Sequence, residues 1–240
     1  IADMGRAGIP ILGYHWMVAS VWRAGNTQVR GGAEATLWDS DSRDKKPIQQ
    51  IGIAGHYDIS QENMWNCLEY WIRAITPIAE EAGIRLGIHP DDPPVPELDG
   101  IPRPLGSFDA YKRLVSIVDS PANAIDFCQG TFSEMADAAD DGIYEMIRYF
   151  TERNKILYVH FRNVSAPNPE DFREEFINTG HVDMYRAMKT YYDNGYDSFF
   201  IDDHVPHTHQ DTEWGHRGRA FANGYIQAMI EAVTKQSAGE

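Results

Sequence analysis

Four residues of this sequence have side chains that could share one divalent ion: His89, Cys128, His160 and Asp203. Two imidazoles, a thiolate and a carboxylate suit borderline ions such as Zn, Mn, Fe or Co. There is no close Cys-x-x-Cys pair, which argues against a zinc finger. What connects the four is position. RLGIH ends in His89, AIDFC in Cys128 and ILYVH in His160, while DSFFIDDH carries Asp202, Asp203 and His204. Each is thus at or just past the end of an apolar run. In a parallel α/β barrel the carboxyl ends of the strands converge on one face. Residues about 30 to 45 positions apart along the chain would then meet in space.

Other reactive side chains sit beside these ends. His204 follows Asp203 directly, and an imidazole that titrates near neutrality suits a general acid or base. The alternative is a histidine that supports the ligands or faces solvent. Arg162 and Asn163 lie just past His160. Arg162 could hold a substrate carboxylate in a bidentate pair or form an ion pair at the rim. Asp91 and Asp92, just beyond His89, could bind hydroxyls, support the ligands or cap the turn before Pro93-Pro94. His207, His209 and His216 read as substrate contacts or solvated loop residues. Arg217 and Arg219 could meet an acidic group.

The elements that must position these groups alternate, strand then helix, as in α/β architecture. Strands are expected at 9–15, 84–89, 124–128, 156–161 and 198–202, with a weaker one near 172–177. Several are apolar at nearly every position, as strands covered on both faces should be. Helices are expected at 61–82 after the N-cap Ser60, and at 107–116, 143–153, 182–194 and 218–235. Residues 1–8 read as a helix end stopped by Gly8. Two long stretches, 20–58 and 90–105, read as irregular loops on the active-site side.

The 240 residues suffice for one domain, taken as 1–240. A formal net charge of -15 argues against nucleic-acid and anionic-membrane partners. No apolar stretch is long enough to cross a bilayer, and no signal peptide is visible. Two cysteines make no disulfide framework, so a cytoplasmic setting is expected. No glycine-rich dinucleotide fingerprint is present.

Several of these segments together carry a resemblance. HPDDPP (89–94), DFCQGT (126–131), VHFRNV (159–164), GHVDMYRAM (180–188) and DDH (202–204) are similar to mannonate dehydratase, in matching order and spacing over nearly the whole chain. The resemblance implies a TIM-barrel-like (β/α)8 fold of the xylose-isomerase-like kind. The family has two more β/α units before this segment, and Ile1 falls in mid-unit, so the chain is expected to lack its first two units. The resemblance further implies Mn2+, alternatively Fe2+, on His89, Cys128, His160 and Asp203. His204 inherits the role of catalytic acid or base, and Asp202 stands where the family commonly has proline. YHWMVASVWR places Tyr14 and Arg23 near the substrate, to which Asp91, Arg162 and Asn163 are added. The implied reaction converts D-mannonate to 2-dehydro-3-deoxy-D-gluconate and water; the sugar acid is the expected partner, and a homo-oligomer is possible. The family's catalytic tyrosine lies in a Pro-Gly-Tyr element where this chain has Thr212-Glu213-Trp214-Gly215-His216. The main rival is a metal-dependent sugar isomerase or epimerase on a related barrel. A barrel endonuclease and a non-enzymatic binding protein are further alternatives.

Overall fold

The computed structural model describes residues 1–18, 21–41 and 59–239. A short helix, α1 (Ala2–Arg6), passes through Gly8 into β1 (Ile11–His15). Gly8 has φ +72°, a left-handed conformation that glycine adopts without penalty, so the expected stop is present. Next come β2 (Gly25–Gln28) and β3 (Glu34–Asp39). The described part of the stretch expected to be irregular therefore holds two strands, while residues 20 and 42–58 lie outside the described residues.

Helix α2 (Gln61–Ala82) starts where the Ser60 side chain accepts the Asn63 N–H, and it buries Met64, Trp65, Leu68, Ile72 and Ala79. Gly83 ends it, and β4 (Arg85–His89) begins almost at once. The segment that follows was expected to be an open loop, yet most of it is buried and it holds a small hairpin of β5 (Glu97–Leu98) and β6 (Ile101–Pro102). Arg103 pins it, donating to the carbonyls of Pro93 (3.0 Å) and Asp92 (2.6 Å). After α3 (Phe108–Ile117), capped by Ser107, comes β7 (Asn123–Cys128), buried along its whole length. The helices α4 (Gln129–Glu134) and α5 (Gly142–Thr151) lead to β8 (Ile156–His160) and the short β9 (Asn163–Val164). Then follow β10 (Asp171–Glu175), α6 (Met184–Asp193), β11 (Phe200–Ile201) and α7 (His216–Ala238).

The strands β1-β4-β7-β8-β11 form one parallel sheet in that order. Helices separate successive members, giving the repeating pattern of a (β/α) barrel. β1 and β11 are its outer strands and, among the described residues, do not pair with each other. The core is mostly one cluster, in which Phe127, Phe132, Phe150 and Tyr191 are fully buried between the sheet and its helices.

A second, antiparallel sheet, β2-β3-β10-β9, caps the carboxyl-end side. This corrects the weak strand expected near 172–177, which is not a strand of the barrel. β10 alternates exposed and buried residues through Arg173, as a strand with one face inward does. Trp38, Val95, Leu98, Val164 and Phe172 form the cap's own apolar cluster.

Candidate metal centre and active site

Sheet register brings three of the candidate ligands together. Cys128 pairs directly with His160 across β7 and β8, and β4 runs beside β7 with His89 at its end. The ligating atoms of His89, Cys128 and His160 all lie within 4.8 Å of one another. His89 Nδ1 lies 2.7 Å from the Pro90 carbonyl, which leaves Nε2 for an ion. His160 turns Nε2 toward Asp126, 3.4 Å away, and its Nδ1 is buried with no hydrogen-bond partner. A nitrogen left so exposed to desolvation is costly unless something electrophilic meets it.

Asp203 completes the set. Its carboxylate oxygens lie 3.6 Å from Cys128 Sγ and 3.6 Å from His160 Nδ1. Its backbone has φ +56°, an uncommon conformation for a residue with a side chain. The thiol of Cys128 is fully buried, which pushes its pKa up. The charges of Arg162 and His89 outweigh this and hold it well below the ordinary range. Burial lowers the pKa of His89, but the Cys128 thiolate and then Asp126 and Asp92 raise it to about 10. These directions favour a charged sulfur–imidazole pair, and a cation held by the same atoms would compete with their protons. Three soft or borderline donors and one carboxylate fit a transition-metal dication.

On the cap side of the pocket a network of opposite character surrounds Arg162. Its Nε donates to Asp203 Oδ2 (2.7 Å), Nη1 to Glu134 Oε1 (3.0 Å), and Nη2 to Asp92 Oδ2 and Thr131 Oγ1 (both 3.1 Å). Arg23 chelates Asp92 through both terminal nitrogens and reaches Glu174 Oε1 at 3.1 Å. Glu174 in turn lies 2.6 Å from Nδ1 of His204. Burial would raise the carboxyl pKa of Asp92, Asp203 and Glu174. Their cationic partners hold all three below the usual range, Glu174 at about 2. Glu134 goes the other way: complete burial and the nearby Asp92 push it up, and its Oε2 has no partner. For His204, burial lowers the pKa, but Glu174 and then Asp203 raise it to about 9.

The structure therefore brings His89, Cys128, His160, Asp203 and His204 to one place, as their strand-end positions led us to expect. His204 is 46% exposed and reaches a cavity of about 330 Å3 that Glu34, Glu174, His207, Glu213 and Trp214 also line. Tyr14 stands on β1 against Trp71, its hydroxyl pushed up to about 12 by burial. Arg23 and Arg162 lie beside the site, but their donors go to protein groups, mostly carboxylates. Asp91 is buried and accepts the Leu105 N–H at 2.7 Å, so it ties down the 90–105 segment while Asp92 joins the ion network. Asn163 spends its side-chain amide on the backbone of Val164, Ile177 and Val182, clamping the turn after β10. Arg219 is bound to Asp202 and the Trp214 carbonyl, and Arg217 to the His209 carbonyl.

Sequence reading missed Glu174, Glu134, Thr131 and Asp126. Two of these left a signal. Asp126 is a carboxylate inside the apolar run AIDFC, and Glu174 lies between Phe172 and Phe176 on the inward face of a strand. An acidic residue at such a position needs a buried partner.

The D-mannonate dehydratase (UxuA) family model matches residues 1–240. Mannonate dehydratase 2 of Halalkalibacterium halodurans is 30% identical over 264 residues, covering 98% of this chain and 74% of its own length. The crystal structure of mannonate dehydratase from Streptococcus suis serotype 2 matches with a TM-score of 0.87 and 30% identity, over 99% of this chain and 70% of that one. A xylose isomerase-like TIM barrel protein from Mycobacterium smegmatis matches with a TM-score of 0.55 over 97% of this chain and 65% of that one; at 14% identity this concerns the fold alone. The chain spans between 51% and 74% of the length of seven curated mannonate dehydratases that it matches. By the match along its whole length, this chain belongs to the D-mannonate dehydratase family.

Proposed function

We propose that the chain dehydrates D-mannonate to 2-dehydro-3-deoxy-D-gluconate, with a divalent metal held by His89, Cys128, His160 and Asp203. Manganese is the metal of this reading, with ferrous iron as the alternative. The observation that carries it is the His89–Cys128–His160 cluster, two half-buried imidazoles around a buried thiol with one imidazole nitrogen unpartnered, in a chain of this family. When bound, the ion supplies Lewis-acid polarisation of the substrate's carboxylate and hydroxyl oxygens.

The protein's own groups move the protons. The C2 proton and the C3 hydroxyl leave as water, and the enol that remains tautomerises to the 2-keto acid. His204 holds its proton at neutral pH and faces the cavity, which suits donation to the departing hydroxyl. Glu213 and His207 line the same cavity and are placed to take the C2 proton; Trp214 lines it too, in the segment where the resemblance implied a tyrosine. Arg162 keeps Asp203 ionised and aimed at the ligand cluster. The two free cysteines fit a reducing, cytoplasmic setting. Among the described residues no helix is long and apolar enough to cross a membrane.

The test is incubation of the Mn2+-loaded protein with D-mannonate. A 2-keto-3-deoxy acid is expected, and its absence would overturn the dehydratase reading. An epimerised or isomerised sugar in the same assay would support the isomerase rival instead.

A further inference from the structure

His204 belongs to the loop after β11, whereas Glu174 belongs to β10 in the cap sheet. The bond between them, 2.6 Å from Oε1 to Nδ1, ties a reactive side chain to an element outside the barrel. Glu174 is only 2% exposed, although His204 beside it is half open to the cavity. The same Oε1 accepts Arg23 Nη2 at 3.1 Å and lies 3.7 Å from Arg162 Nη1. A carboxylate between two guanidinium groups stays ionised and can only accept hydrogen bonds. The His204 nitrogen facing it must therefore carry a hydrogen. The ring is then fixed in one orientation, and Nε2, 3.7 Å from Asp203 Oδ1, is the nitrogen left without a hydrogen bond on a side chain that lines the cavity. Glu174 is nearly closed to water and is met by two arginines as well as by His204, so three cationic groups converge on this one carboxylate.

We propose that Glu174 is a positioning residue, which fixes the tautomer and orientation of His204 so that Nε2 is the proton-transfer atom. The assignment rests on the reading of His204 as the proton donor in the dehydration, and it names a residue that no sequence motif pointed to. The pairing of an imidazole with a buried carboxylate is a general device for holding a proton-transfer ring in register. Here the carboxylate comes from the cap sheet, so the cap contributes to the chemistry as well as covering it.

The test uses Glu174→Gln, which is isosteric and keeps an oxygen acceptor, and Glu174→Ala, which removes it. Mn2+ titration first checks that each variant still builds the ligand cluster, with affinity expected within about 3-fold of the parent. Turnover of D-mannonate is then expected to fall roughly 100-fold for Glu174→Ala and roughly 10-fold for Glu174→Gln, with KM moving less than about 3-fold. A merely structural role would move KM, metal affinity and kcat together. The second readout is independent of activity. Proton NMR of 15N-histidine-labelled, metal-free protein should show a hydrogen-bonded Nδ1–H of His204, assigned by its loss in His204→Asn. That resonance should disappear in Glu174→Ala. Its persistence there, or a kcat for Glu174→Ala within about 3-fold of the parent, would overturn the proposal. If the parent does not turn over D-mannonate, the dehydratase reading fails while the NMR arm still decides the Glu174 assignment.

Discussion

The ligand atoms of His89, Cys128 and His160 crowd within 4.8 Å of one another and leave a buried imidazole nitrogen unpartnered. On the cap side of the same pocket, Arg23 and Arg162 meet Asp92, Glu134, Glu174 and Asp203 through hydrogen bonds of 3.1 Å or less. The first region leaves an imidazole nitrogen open to a guest, whereas in the second, among the described residues, each charged group has a protein partner, with Glu134 Oε2 the one atom left over. Both are buried and both gather strong polar groups, so burial alone does not tell a binding site from a scaffold. The distinction lies in whether each group already has its partner. Arg162 joins the two regions, since one of its nitrogens holds the proposed ligand Asp203 and the others hold Glu134, Asp92 and Thr131.

The largest effect should come from breaking the scaffold at that joint. Arg162→Met leaves several buried carboxylates without their cation, and removing one partner from a buried ion cluster costs about 3–5 kcal/mol. Urea unfolding at neutral pH should show a loss of that size, with or without metal present. A loss below about 1 kcal/mol would mean that the network is solvated and does not hold the site. Cys128→Ser should act in the opposite sense. Mn2+ affinity falls at least about 100-fold, while unfolding free energy changes by about 1 kcal/mol. Calorimetric titration and urea unfolding of one preparation check both halves of that statement.

Asp126→Asn sharpens the comparison further. Asp126 touches His160 at 3.4 Å and receives the Tyr158 hydroxyl at 2.9 Å, so it orients a ligand without being one. A loss of metal affinity on the order of 10-fold is expected, less than for Cys128→Ser. An equal or larger loss would make Asp126 itself a ligand. The smallest perturbation is pH. His204 has its pKa raised from the ordinary 6.5 to about 9 in the folded protein. The stabilising contact with Glu174 is therefore complete below the unfolded value and is lost as pH rises through about 9. With His204 as the acid, kcat on D-mannonate should fall along the same alkaline limb. A kcat that rises through that interval would make His204 the base.

How far these regions could be read from sequence follows from the same distinction. His89, Cys128, His160 and Asp203 lie at or just past the ends of apolar runs, and the parallel topology does the rest, so the meeting of these four side chains was legible in the sequence. Gly8, Ser60 and Gly83 likewise mark element ends through backbone chemistry that one residue decides. The cap sheet was not legible as such. β2 is a four-residue strand with three exposed positions, and β10 gives a short alternating pattern that fits several sheets equally well. The network depends on that cap, because Arg23 and Glu174 meet Asp92 and His204 only after two sheets are docked. Arg162 and Asn163 were read as reaching for substrate, whereas tertiary partners far along the chain had already claimed their donors. Residue type showed what these side chains can bind, but which partner they bind is a property of the assembled fold.

The claim that the strand-end cluster holds the metal is tested most directly by a crystal of the Mn2+-loaded protein measured at an anomalous wavelength. The account predicts one strong peak within about 2.0–2.4 Å of a nitrogen of His89, a nitrogen of His160 and Cys128 Sγ, with an Asp203 oxygen completing the set. A peak elsewhere, or a manganese ion with Cys128 outside bonding distance, would contradict it.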